Sequence, residues 1–125
     1  QAEIILFEKG EYISYANCGL PYYIGGVIEE RERLFVQTPE SFKARFNIEV
    51  RIKSEVKAIE PENKQVVIKD WATGKTYRES FDKLVLSPGA EPVLPPWEGI
   101  RTEGILPSGR WLIQIGSKRG PAVRK

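Results

Sequence analysis

Near its start the chain carries an unbroken apolar run, Ile4-Ile5-Leu6-Phe7, which stops at Glu8-Lys9-Gly10. A run without polar alternation fits a strand buried on both faces, as in a parallel sheet, leading into a turn. Such a strand needs neighbours on both sides, and the chain contains no methionine, so an upstream strand and helix are expected to be lacking. Further on, Thr38-Pro39-Glu40-Ser41 supplies an N-cap, a proline at the first helical position and an acidic first turn. Phe42 and Phe46 then share one face, which predicts a helix ending near Asn47. Val50, Ile52, Val56 and Ile59 mark extended segments. Turn signals at Pro61-Glu62-Asn63-Lys64 and Ala72-Thr73-Gly74-Lys75 bracket residues 65–70 and precede residues 76–80, which predicts a three-stranded antiparallel meander. Lys83-Leu84-Val85-Leu86-Ser87 repeats the buried parallel pattern and leaves through Pro88-Gly89-Ala90. Pro92, Pro95 and Pro96 make an extended connector. The order predicts an α/β domain.

Between the first strand and the capped helix lies Tyr12 to Gly26, YISYANCGLPYYIGG, with Cys18 as the sole cysteine of the chain. Pro21 is best placed in the first turn of a helix, where its missing N–H leaves no bond unmade. Cys18 therefore falls at a loop-to-helix junction, where unpaired N–H groups favour a thiolate and make it a candidate redox nucleophile. The competing reading is a buried structural cysteine.

Composition narrows the chemistry. The 125 residues, 41% of them hydrophobic, suit one soluble globular domain at most. No run approaches the roughly 18 apolar residues of a membrane span and no secretory pattern opens the chain, so a cytoplasmic protein without membrane contact is expected. One cysteine makes no internal disulfide, and the absence of histidine excludes the usual zinc sites and histidine-dependent triads. No metal site is expected, and redox chemistry at Cys18 requires an outside partner. The net charge of +2 is unevenly spread: residues 1–105 hold 14 basic against 17 acidic side chains, while residues 106–125 hold five basic and no acidic ones. A basic tail can be a nucleic-acid arm. This one has no aromatic interleaving beyond Trp111, so no nucleic-acid partner is expected.

The motifs SYANCGLPYYIGG at residues 14–26 and LVLSPGAEP at residues 84–92, with Glu8 after the first strand, resemble the FAD-dependent pyridine nucleotide-disulfide oxidoreductases. The likeness covers about residues 2–105 and is specific at the cysteine motif. It points to the single-cysteine branch of coenzyme A-disulfide reductases, NADH oxidases and NAD(P)H sulfur reductases, because dithiol relatives carry a second cysteine nearby. The resemblance implies part of a Rossmann-like FAD-binding fold with an antiparallel meander, lacking the first βα unit. Its implied boundaries are a partial FAD-binding domain over 1–96, a connector over 97–105 toward an NAD(P)-binding domain, and an atypical tail over 106–125.

It further implies Cys18 as the catalytic thiol. Glu8, Lys9, Ser14, Asn17, Val56, Ser87, Pro88 and Gly89 would contact FAD, and Asn17, Tyr22 and Tyr23 would contact substrate. A carboxylate at position 8 can accept both ribose hydroxyls, although Glu8 taken alone reads as a solvated turn residue. Gly19 would let a planar flavin approach the sulfur. Asn17 would orient flavin or sulfur, or else cap a helix; Tyr22 and Tyr23 would meet substrate, or else pack on the fold. The implied reaction passes electrons from NAD(P)H through FAD to coenzyme A disulfide or another small disulfide or sulfur species. Cys18 would hold a mixed disulfide or a sulfenic acid, and the full-length enzyme would be a homodimer. The alternative is a non-enzymatic truncated domain that binds no flavin.

Two departures stand out. The 125 residues contain no G-x-G-x-x-G phosphate loop. Where the family continues with a peptide like FTLRTVADTDRIK, Leu106 onward reads LPSGRWLIQIGSK. A single nucleotide string encodes both peptides in neighbouring frames, so residues from about Leu106 are expected to be frameshifted coding sequence; the competing reading is a genuine basic tail.

Overall fold

The structure is a computed structural model that describes residues 2–90 and 93–102. The chain divides after Val85 into two units. In the first, β1 (Ile5–Phe7) pairs in parallel with β4 (Glu49–Arg51), Leu6 lying opposite Val50. β2 (Ser14–Tyr15) pairs antiparallel with β3 (Phe35–Gln37). β5 (Ser54–Glu60), β6 (Gln65–Asp70) and β7 (Thr76–Ser80) form the expected three-stranded antiparallel sheet.

The apolar start of the chain becomes a parallel strand, but β1 is half-buried rather than fully enclosed, and Ile4 just before it is exposed. Among the described residues β1 has a ladder partner on one side only. Beyond β1 the pairing continues into the turn: the Glu8 N–H donates to the Arg51 carbonyl at 3.0 Å and the Glu8 carbonyl accepts the Ser54 N–H at 2.9 Å. Arg51 fastens β4 to β7. Its Nη1 donates to Glu79 at 2.6 Å and its Nε to Glu49 at 2.6 Å, while the guanidinium stacks over Phe7 and Tyr77. The Glu49 and Glu79 carboxylates raise its pKa further above the ordinary arginine value.

Helix α2 (Pro39–Phe46) begins as its sequence predicts. Thr38 Oγ1 accepts the Ser41 N–H and Ser41 Oγ accepts the Thr38 N–H, a reciprocal cap. Asn47 ends it in the left-handed region at φ 54°. Phe42 and Phe46 meet edge to face at 5.5 Å. The meander's inner face carries Val66 and Ile68, both buried, with Ser54 buried at its rim.

The strand expected over residues 83–87 does not form. Residues 83–90 are irregular, with Val85 and Leu86 exposed. Hydrophobicity expresses a tendency to be buried, but a strand also needs a ladder partner, and among the described residues this segment has none. In the second unit the described residues make turns: the Trp97 N–H donates to the Pro95 carbonyl and the Thr102 N–H to the Gly99 carbonyl. The tail from Leu106, and the end of the connector beyond Thr102, lie outside the described residues.

Candidate functional site

Cys18 sits in the middle of a 3-10 turn, Asn17–Gly19, that runs directly into α1 (Leu20–Ile24) with Pro21 in its first turn. The junction is where the sequence predicts it, but α1 is only 5 residues long, so few peptide dipoles add up behind the thiol. What distinguishes Cys18 is contrast. Gly19 and Leu20 are buried, Leu20 to 3% exposure, while the thiol that precedes them is exposed. The exposed thiol does not fit the reading of Cys18 as a buried structural residue within these residues.

The turn is held from both sides. The Gly19 N–H donates to the Ala16 carbonyl at 2.9 Å, and the Ala16 N–H donates to the Leu34 carbonyl at 2.7 Å. Asn17 is exposed, and neither the turn nor α1 has a side-chain cap, so Asn17 is not spent on capping. Tyr22 is exposed and Tyr23 half-buried, so only Tyr23 follows the packing alternative. Ser14 lies in β2 opposite Gln37. Beside this strand pair Tyr12 stacks on Phe35 at 4.9 Å, and the Arg31 guanidinium covers Tyr12 and donates to its hydroxyl. Sequence reasoning did not find Leu34, Phe35 or Arg31. The signal available was Arg31-Glu32-Arg33-Leu34-Phe35 after the glycine pair, which shows neither helical nor strand periodicity.

Glu8 occupies the turn after β1. Its Oε1 accepts the Gly10 N–H at 2.6 Å, which fixes the carboxylate and leaves acceptor capacity on Oε2. That carboxylate fits a ribose hydroxyl, so the residues present are compatible with the adenosine side of a dinucleotide. Lys9 beside it is exposed, and its charge helps hold the Glu55 carboxyl below its usual value, after the Trp71 hydrogen bond and the Lys57 pairing. Val56 lies in β5 opposite Ile68, at the bulge that separates it from Ala58. The hydrogen bond from Ser54 to Glu8 puts that strand beside the Glu8 turn. The structure thus assembles two groups in the first unit: Glu8 with β5, and Ser14, Asn17 and Cys18 on the β2–α1 segment. Ser87, Pro88 and Gly89 belong to the second unit, where all three are exposed and Gly89 takes φ 73°, a conformation suited to glycine.

An open hollow of about 320 Å³ lies at Ala2, Glu3, Ile4, Lys43, Asn47 and Glu49. It contains none of the expected site residues. Among the described residues no cluster of potential metal ligands occurs, and no helix is long and apolar enough to cross a membrane.

A family model described as pyridine nucleotide-disulphide oxidoreductase matches residues 1–110. The chain belongs to that family. Relatives in this family include a coenzyme A disulfide reductase of Staphylococcus epidermidis, 46% identical over 90 residues, which cover 72% of this chain and 20% of that protein. The reduced Bacillus anthracis CoADR-RHD structure superposes with a TM-score of 0.72 at 57% identity, over 78% of this chain and 18% of that one. A water-forming NADH oxidase from Lactobacillus brevis, bound to NADH, gives a TM-score of 0.72 at 32% identity, over 82% and 23%. The small sheets and helices are accordingly part of a Rossmann-like oxidoreductase fold, and the chain spans about a fifth of the length of the curated reductases it matches.

Proposed function

We propose that these residues carry the working thiol of an FAD- and NAD(P)H-dependent disulfide reductase whose acceptor is coenzyme A disulfide. The observation that carries this reading is an exposed thiol on a hydrogen-bonded turn: Cys18 faces solvent between Ala16 and the buried Gly19, both tied to the fold. A thiol so placed is accessible to a bulky disulfide yet fixed in direction. The Cys18 thiolate attacks one sulfur of the disulfide, a bond forms to that sulfur, and the second thiolate leaves and takes up a proton. Asn17 presents an amide beside the new mixed disulfide, and the exposed Tyr22 offers a ring and hydroxyl to the bound thiol half. Glu8, oriented by Gly10, would accept the ribose hydroxyls of FAD, with Lys9, Ser14 and Val56 as further contacts. When bound, the flavin recharged by NAD(P)H supplies the two electrons that release the second thiol.

The test is thiol exchange followed by mass spectrometry. Folded chain incubated with coenzyme A disulfide is expected to gain one coenzyme A on Cys18, faster than the same chain unfolded in urea and faster than with cystine. No adduct in a Cys18→Ser variant is expected. An adduct that forms no faster on the folded chain than on the unfolded one overturns the reading, because Cys18 would then be an ordinary exposed thiol.

A further inference from the structure

Gly19 follows the exposed thiol, and its backbone does not require glycine. Its φ of −79° and ψ of −19° lie in the region open to any L-residue. The space is tight, and something there must shift to admit a Cβ. A Cβ built on Gly19 would stand 2.8 Å from Leu34 Cδ2, with Ala16 Cβ and Ile28 Cδ1 each at 3.6 Å. A separation below 3.0 Å is one that real Cβ atoms essentially never show. The atom such a Cβ meets is the tip of the Leu34 side chain, which must repack to give room. Leu34 is fully buried, at 0% exposure, and its own carbonyl holds the Ala16 N–H at 2.7 Å. Ala16 in turn holds Gly19 through the bond to its carbonyl. Leu34 therefore touches the cysteine turn twice, once by backbone through Ala16 and once by side chain against Gly19.

We infer that Leu34 is the positioning residue for Cys18, and that the volume shared by residues 19 and 34 sets where the thiol stands. The leucine side chain fills the place of the missing Cβ and presses the turn into the geometry that leaves Sγ outward. One added carbon at position 19 forces either the turn or Leu34 to move, since packed interiors do not absorb a methyl group without displacement. One carbon removed at position 34 restores the room. Position 19 and position 34, both in the connection from β2 to β3, are thus a coupled pair, and a larger residue after the cysteine should be tolerated only with a smaller one at 34. The functional weight of this inference rests on Cys18 being the working thiol; the packing claim does not.

Four chains decide it: wild type, Gly19→Ala, Leu34→Val, and Gly19→Ala/Leu34→Val. Two quantities are read on each, the melting midpoint and the rate of Cys18 alkylation by iodoacetamide across pH. Gly19→Ala is expected to lower the midpoint by roughly 5 °C or more. It should also change the profile of alkylation rates, because the turn that carries the thiol is displaced. Leu34→Val is expected to lower the melting midpoint modestly and to change that profile less than Gly19→Ala does, because it relaxes the packing on the turn without forcing the turn to move. The double variant, in which one carbon is gained and one lost, is expected to recover the wild-type profile and to melt above Gly19→Ala. If Gly19→Ala does not fold, a folded double variant carries the same conclusion. A double variant no better than Gly19→Ala, or a Gly19→Ala whose profile matches wild type, overturns the inference. Failure of the disulfide-reductase reading looks different: the double variant rescues the alkylation profile, yet Cys18 exchanges with coenzyme A disulfide no faster folded than unfolded.

Discussion

Lys53 stands at φ 53°, left-handed, in the connection between β4 and β5. Its N–H donates to the Gly10 carbonyl at 2.8 Å and its Nζ pairs with Glu11 at 2.9 Å, so it clamps the turn that carries Glu8. The hydrogen bond and charge of Lys53 hold the Glu11 carboxyl below its ordinary 4.5, and Glu11 holds the Lys53 ammonium above its ordinary 10.5. A depressed carboxylate contributes stability above its unfolded value and loses it as pH falls through the folded one. A raised ammonium contributes below its unfolded value and loses it as pH rises through the folded one. The pair therefore acts between those two ordinary values and fades on both sides. Lys53→Gln is expected to lower the urea midpoint at neutral pH, with the difference from wild type shrinking in acid and in about 1 M salt, since both side chains are partly exposed. A difference that persists undiminished in acid would assign the effect to the backbone at position 53 instead. Such single residues were unevenly legible in the sequence. Pro21 placed the cysteine at its junction because proline acts on its own turn. The packing role of Gly19 was hidden, because the atom that crowds a Cβ there belongs to Leu34, 15 residues further along the chain.

Elements divide along the same line of local against distant causes. Helix α2 was legible from end to end, since Thr38, Pro39, Glu40 and Ser41 specify its start within a single turn of chain. The meander was legible because each of its turns is coded by the residues between adjacent strands. The β2–β3 pair was not: two residues of β2 meet β3 across an intervening helix and with a register shift, and so short a run has no periodicity to read. Residues 83–87 failed in the opposite sense, with a strong apolar pattern and no ladder partner among the described residues. The helix cap gives the cleanest check at this scale. Thr38→Ala removes the acceptor of the Ser41 N–H and should destabilise by about 1 kcal/mol, whereas Thr38→Asn should cost only a fraction of that. Urea denaturation followed by circular dichroism measures both. Equal losses for the two variants would mean that the hydroxyl acts elsewhere than at the cap.

Cofactor retention is a property of the whole molecule and sets a quantitative demand. Holding FAD through desalting needs at least micromolar affinity, about 8 kcal/mol. A charged hydrogen bond of the kind Glu8 can make contributes about 1.5–3 kcal/mol. In dinucleotide folds the pyrophosphate is held by backbone N–H groups of a glycine-rich loop at a helix start, and these 125 residues contain no G-x-G-x-x-G. Neither described helix offers a substitute: α1 has 5 residues, and the start of α2 is closed by the Thr38–Ser41 cap. Purified chain incubated with excess FAD and desalted is therefore expected to be colourless. It should turn over NAD(P)H with a disulfide no faster than Cys18→Ser. A retained flavin absorption band would overturn this, and would mean that these residues suffice for a site without the phosphate loop. Thiol exchange at Cys18 makes a different demand, because it needs only the turn held by Ala16, Gly19 and Leu34. A colourless chain that still takes up coenzyme A on Cys18 would separate the two halves of the chemistry: nucleophile geometry set locally in the β2–α1 segment, and electron supply dependent on residues these 125 do not contain.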